Sequence, residues 1–280
     1  MAKSLSPLRY PGGKSKIYEK VKNLIITNGY ENRVYVEPFA GGFGIGINLI
    51  CENIVPSVIL NDFDPHIYHF WHSVLYDTEN LLRLITDTQV TIEERERQKV
   101  IYNDADSDSL HDGFATLFLN RVNFSGVIKG GPIGGLSQTG AYKIDCRFNK
   151  KEIMNKIIAI AKYKSKIKLY NKDAGYLIRM NLMKMQKPMF LNIDPPYVVK
   201  GSRLYTNYFT EGDHLNLQRV IVKHLTERCP WVITYDDCDL IRDLYKQFYI
   251  QEYAITHNAG SSTQGKEIVI TNLPTDRFVW

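Results

Sequence analysis

Apolar residues recur at helical spacing between Lys14 and Thr27, at Ile17, Val21, Leu24 and Ile25, and predict an amphipathic helix. A short apolar run, Val34 to Val36, reads as a buried strand. It leads into "EPFAGGFGIGINLI", a strand end, a glycine turn and a helix, and then into a second strand at Val58 to Leu60. This order is a βαβ unit, the building block of a parallel sheet. From about Pro65 to Tyr163 the pattern becomes mainly helical, broken by the glycine-rich stretch "FSGVIKGGPIGGLSQTGAYKIDCRF". Irregular segments of that length are usually functional or disordered. Strand character resumes at Ile167 to Tyr170 and continues in "MFLNID", "WVITYDD" and "EIVITN", with helices between the first three of these four. The expectation is an α/β sheet domain interrupted by an inserted domain of helices and loops.

Composition narrows the class. The 280 residues are 44% hydrophobic and 23% charged, ordinary for a globular protein. No apolar run reaches membrane-spanning length, and "MAKSLSPLRY" lacks the apolar core of a secretory signal, so no membrane partner and a cytoplasmic location are expected. The four cysteines, Cys51, Cys146, Cys229 and Cys238, have neither C-x-x-C spacing nor a nearby histidine pattern. Reduced thiols and no metal site are expected. A net charge of +5 permits a polyanionic partner.

Candidate chemistry gathers at strand ends. In "LNIDPPYVVK" the strand must stop at Pro195 and Pro196, because each fixes φ and neither has an N–H for a sheet ladder. Asp194 and Tyr197 are thereby held on a stiff turn at a strand's C-terminal end, where ligands bind in open α/β sheets. "RYPGGKSK" contains Gly-Lys-Ser, but position 8 is Leu where a P-loop requires glycine, and no strand precedes it. It reads instead as a tight turn into a helix, with Lys14 in the first turn facing a ligand or solvent. "VEPFAGGFGIG" does not satisfy G-x-G-x-x-G, because position 47 is Ile. Glu37 at that strand end would repel a pyrophosphate and suits a ligand carrying positive charge. In "LNDFD", Asp62 is placed either to accept bonds from ribose hydroxyls or to cap the next helix, a task for which Asp64 is better placed.

In this order, P-G-G-K, E-P-F-x-G-G, N-D, an inserted region and D-P-P-Y, the chain resembles the Dam-like (D12 class) adenine-specific DNA methyltransferases, which use S-adenosylmethionine. "FLNRVNFSG" and "KEIVITN" are similar to segments of the same family. The resemblance implies a Rossmann-like methyltransferase sheet with helices on both faces, built from residues 1–64 and 165–280. It also implies that residues 65–164 form an inserted, mainly helical target-recognition domain. It implies that Tyr10, Lys14, Glu37, Asp62, Asp173 and Asp194 line the cofactor site, with Glu37 beside the methionine portion, Asp62 at the ribose and Asp173 near the adenine. Asp194, Pro195, Pro196 and Tyr197 are the implied catalytic segment, with S-adenosylmethionine as methyl donor. Double-stranded DNA is the implied substrate, and a cognate restriction endonuclease is a partner the resemblance allows.

Adenine's exocyclic amine is a weak nucleophile because its lone pair is delocalised into the ring. The Asp194 carboxylate and the Pro195 carbonyl, aimed at its hydrogens, would localise that pair and stabilise the positive charge developing on nitrogen. Tyr197 offers a face for an extruded base. In the inserted region Arg121 and Asn123 are candidates for reading base edges and Lys129 for meeting a phosphate. "SSTQGK", residues 261 to 266, is expected as a further loop on the DNA side. Two features depart from the family pattern. Phe43 stands where many relatives have glycine, and the recognition segment differs from that of GATC-specific members, so GATC recognition is not implied. Methylation of RNA or of a protein amide nitrogen, the latter disfavoured by Asp194 and the large inserted region, and a non-catalytic, S-adenosylmethionine-sensing DNA-binding role are the competing readings.

Overall fold

The computed structural model describes residues 5–9, 17–198, 209–259 and 261–280, excepting the side chains of 255–259 and 261–265. Tyr10 and Lys14 therefore lie outside the described residues. The chain divides into two compact units. Among the described residues, one comprises 17–64 and 166–280, the other 5–9 and 65–165.

The first unit is built on a sheet. Its strands are β1 (Val34–Glu37), β2 (Val58–Asn61), β3 (Ile167–Tyr170), β4 (Met189–Ile193), β5 (Trp231–Asp236), β6 (Tyr249–Ala259) and β7 (Ser261–Thr271). Among the described residues they form one seven-stranded sheet in the order β3-β2-β1-β4-β5-β7-β6. β1 to β5 are mutually parallel, whereas β7 pairs antiparallel with both β5 and β6. The chain winds outward from β1 through β2 to β3, then returns to β4 on the other side of β1. Right-handed crossovers in opposite directions put helices on both faces, and the reversal opens a crevice between the C-terminal ends of β1 and β4. This is the expected Rossmann-like sheet.

Strand residues alternate between faces. Val34, Val36, Leu191, Ile193, Ile233 and Ile270 share one core with Leu217 and Ile221 of the helix Glu211–His224 and with Leu225 at its C-terminal cap. Tyr35, Glu37, Asn192 and Thr234 occupy the alternate positions and are also buried. Two expectations change at the far edge. β6 has no counterpart in the sequence reading, because "YIQEYAITHNA" mixes polar and apolar residues as an edge strand does. Ser261 to Lys266 are not a loop: they pair with Ala259 to Ala254 as part of β7, closing a long hairpin.

Two helices precede and follow β1: α1 (Tyr18–Thr27) and α2 (Gly44–Cys51). Phe43, at the N-cap of α2, has φ 47 and ψ 32, the left-handed conformation in which glycine is relaxed. A non-glycine residue there costs about 1–3 kcal/mol. Burial offsets the strain: Phe43 is 1% exposed, and sequestering such a ring contributes about 1.5–3 kcal/mol. The ring lies against Gly46, where a Cβ would overlap it. The departure from the family pattern is thus compensated one turn away.

The second unit is mainly helical: α3 (Pro65–Tyr76), α4 (Thr78–Asp87), α5 (Ile92–Asn103), α6 (Ser109–Val122) and α7 (Lys150–Ala161). Side chains of Thr91, Asp108 and Asn149 accept N–H bonds at the starts of α5, α6 and α7. Residues 5–9 join this unit, not the sheet unit. The Asn120 amide accepts from the Arg9 N–H at 2.7 Å and donates to the Arg9 carbonyl at 2.8 Å, pairing with the segment as a strand would.

The pairing of Phe43 with Gly46 makes a coupled prediction. Gly46→Ala overpacks the site and lowers unfolding free energy by about 1–3 kcal/mol. In a Phe43→Gly background the same substitution costs little. Urea unfolding of the four-member cycle measures the coupling, and additive effects would contradict the contact.

Candidate active site and nucleic-acid interface

The C-terminal edge of the parallel strands is held together by Asn61, the last residue of β2. Its buried amide donates to the carbonyls of Pro38 and Lys172 at 2.8 and 2.9 Å and accepts from the Lys172 N–H at 3.1 Å. One side chain therefore fixes the exits of β1, β2 and β3. Asn171 adds bonds to the carbonyls of Asp62 and Phe63 at 2.8 and 3.1 Å.

Four of the expected cofactor residues stand on this edge: Glu37, Asp62, Asp173 and, at the proline turn, Asp194. Glu37, 1% exposed, ends β1. Its Oε1 accepts from the Tyr35 hydroxyl at 2.7 Å and from the Gly46 N–H at 3.2 Å, in the first turn of α2 where the helix dipole favours a carboxylate. Burial, with Glu37 beside it, pushes the Tyr35 hydroxyl well above the usual tyrosine range, so it remains a donor. Asp62 follows β2. Its Oδ2 accepts from the Gly41 N–H at 2.8 Å and its Oδ1 from the Asp64 N–H at 3.0 Å, which ties the glycine turn after β1 to the end of β2. Asp173 is an exposed N-cap, accepting from Tyr176 N–H at 2.8 Å where a helical turn begins at Ala174.

The proline turn begins where β4 ends. Asp194 is half-buried and its Oδ1 accepts from the Thr234 hydroxyl at 2.6 Å. Pro195 is buried, Pro196 half-buried and Tyr197 9% exposed. The backbone N–H of Val198, directly after the turn, donates to Asp236 Oδ1 at 2.9 Å. Thr234 and Asp236 carry no role in the sequence reading. Their signal was present as two polar residues, two apart, in a strand that is buried throughout. Among the described residues no group of three or more His, Cys, Asp or Glu side chains is placed to hold a metal ion. No helix among them is long and apolar enough to cross a membrane.

In the helical unit the loop after α6 is rigidly built. Ser125 has φ 55 and Gly126 φ 77, and a Cβ at Gly126 would strike the Arg9 carbonyl. Asn123 is fully buried, which corrects the expectation that it reads a base edge. Its Oδ1 accepts from Arg95 Nε at 2.7 Å and its Nδ2 donates to the Ile128 carbonyl at 2.6 Å, so the amide cannot meet DNA. Arg95, 4% exposed, also donates to the Gly130 carbonyl at 2.7 Å. Arg121 is half-buried and reaches the Pro7 carbonyl at 3.4 Å. Burial, with Arg9 nearby, pulls its pKa down to about 10, which leaves it cationic at neutral pH. Lys129 is exposed, as is Phe124 at 60%.

Residues 10–258 match the family described as D12 class N6 adenine-specific DNA methyltransferase. The chain belongs to that family. It is an adenine-specific DNA methyltransferase, and the family's methyl donor is S-adenosylmethionine. The Retron Ec67 DNA adenine methylase of Escherichia coli is 25% identical over 94% of this chain and 89% of its own. The Type II methyltransferase M.MjaIII of Methanocaldococcus jannaschii is 22% identical over 76% of this chain and 77% of its own. Among solved structures, the rRNA methyltransferase aviRa from Streptomyces viridochromogenes aligns with TM-score 0.40 and 10% identity over 94% of this chain and 85% of that one.

For this D12-class enzyme the buried Asn123 generates a test. Asn123→Ala removes the partner of Arg95 Nε and the donor to the Ile128 carbonyl, and should lower stability by about 1–3 kcal/mol. A panel of single-base variants of the methylated site should keep its ranking. Selective relaxation at one base pair, with unchanged stability, would restore a base-reading role.

Proposed function

We infer that the crevice between β1 and β4 holds the methyl donor and that the segment Asp194 to Tyr197 performs methyl transfer to the N6 amine of an adenine extruded from double-stranded DNA. The observation that carries this reading is the convergence of Glu37, Asp62 and Asp194 on one sheet edge, at the point where the winding reverses.

The donor set fits S-adenosylmethionine, which supplies an activated methyl on a cationic sulfur. The edge is rich in carboxylate acceptors, suited to an ammonium, a sulfonium and ribose hydroxyls. Glu37 is turned toward α2 by Tyr35 and Gly46, and Asp62 is fixed by two backbone amides. Asp173 spends one oxygen as a cap and stands at the β3 end of the same edge, on the adenine side. Tyr10 and Lys14 belong to this reading by family resemblance.

Asp194 and the Pro195 carbonyl accept the two amine hydrogens, localise the nitrogen lone pair and compensate the charge that grows on nitrogen. The proton that the methylated nitrogen must lose passes to the adjacent Asp194 carboxylate and from there to solvent. Tyr197 borders the base position; with so little of it exposed, the base meets it inside a slot and not on an open platform. On the helical unit, Lys129 meets phosphate and Arg121 contributes positive charge. Phe124, an exposed ring on a rigid loop, is suited to stack against bases. A cognate endonuclease and a cytoplasmic location accord with this reading.

Asp194→Ala should reduce methyl transfer by on the order of 10²–10³. Radiolabelled donor and a cognate duplex measure it, and activity within threefold of wild type would remove Asp194 from the chemistry. Lys129→Ala should weaken binding to all DNA sequences alike and lower the slope of log K against log salt by about one. Loss of donor binding with DNA affinity intact would place Lys129 elsewhere.

A further inference from the structure

The two prolines after Asp194 create a structural problem that β5 solves. β4 pairs with β5 through Leu191↔Trp231, Asn192↔Val232 and Ile193↔Ile233. Continuing that register would bring Asp194 opposite Thr234, but Pro195 and Pro196 have no N–H to extend a ladder. Beyond Ile193, β5 holds the chain by side chains instead. Thr234 Oγ1 donates to Asp194 Oδ1 at 2.6 Å, and Asp236 Oδ1 accepts from the Val198 N–H at 2.9 Å. The two residues share one face of β5, two positions apart, and are 1% and 4% exposed.

From this geometry we propose that Thr234 and Asp236 are positioning residues for methyl transfer, a pair of clamps that set the orientation of the Asp194 carboxylate and the path of the proline turn. The proposal rests on the reading that Asp194 accepts from the target amine. Thr234 has a single hydroxyl proton and directs it at one carboxylate oxygen, which fixes the rotation of the carboxylate about its own axis. Asp236 fixes the exit of the turn, and with it the placement of Tyr197. Neither side chain needs to touch substrate. A carboxylate free to rotate would meet the amine in the correct attitude only part of the time, and alignment is what in-line transfer requires.

The test uses the full chain, a cognate duplex and S-adenosylmethionine. Thr234→Val keeps the shape and strand propensity of the residue and removes only the hydroxyl. Its kcat should fall on the order of 10–100-fold, the range of a lost hydrogen bond to a charged group. Donor and DNA affinities should stay within about threefold. Thr234→Ser restores the hydroxyl and should recover most of kcat. Asp236→Asn retains a carbonyl acceptor and should stay well above Asp236→Ala in kcat. In an Asp194→Ala background, Thr234→Val should cause no further loss, because the group it orients is gone. Wild-type kcat in Thr234→Val, or a loss that Ser does not rescue, overturns the proposal. So does a full additional loss in the Asp194→Ala background. If Asp194→Ala is inactive while Thr234→Val is not, only the clamp fails. If Asp194→Ala is itself active, the underlying reading of the proline turn fails with it.

Discussion

The reversal of winding between β1 and β4 is the constraint on which the rest depends. A parallel sheet that grows outward through β2 and β3 and then returns beside β1 leaves a crevice no crossover helix can cover. Every strand from β1 to β5 delivers its C-terminal residue to that edge. The chemistry then follows from what those residues are. Glu37, Asp62 and Asp194 place carboxylates along the edge, and Asn61 locks the three exits on one side of it.

Buried carboxylates are costly unless hydrogen-bonded, and each one here whose bonds are described is held by named donors. Glu37 takes a tyrosine hydroxyl and a helix-start amide, Asp62 takes two backbone amides, and Asp194 takes a threonine hydroxyl. The same bonds that meet the desolvation cost also fix orientation. In the helical unit the economy is reversed: Asn123 and Arg95 are spent on building the loop itself.

Much of the sheet was legible in the sequence, because short apolar runs bounded by glycine, proline and acidic residues mark buried parallel strands. The strand-end acids were legible for the same reason. β6 was not, since an edge strand needs only half of its residues apolar. Asn123 was misread because its surroundings are polar and glycine-rich, whereas its side chain is turned inward by Arg95, 28 positions earlier in the chain. Phe43 looked like a break in the pattern, and only the contact with Gly46 shows how a left-handed phenylalanine is tolerated. Thr234 and Asp236 escaped notice because "WVITYDD" reads as an ordinary buried strand. Their significance lies in the register with β4, which periodicity alone does not give.

The central claim is that the β1–β4 crevice carries the donor beside Asp194. A crystal structure of the enzyme with a non-transferable S-adenosylmethionine analogue tests it most directly. The account predicts the ligand across the ends of β1 and β4, its ribose hydroxyls within hydrogen-bond distance of Asp62 and its amino-acid end near Glu37. The position equivalent to the transferred methyl should face Asp194. A ligand bound away from this edge, or bound here with that position turned from Asp194, would contradict it.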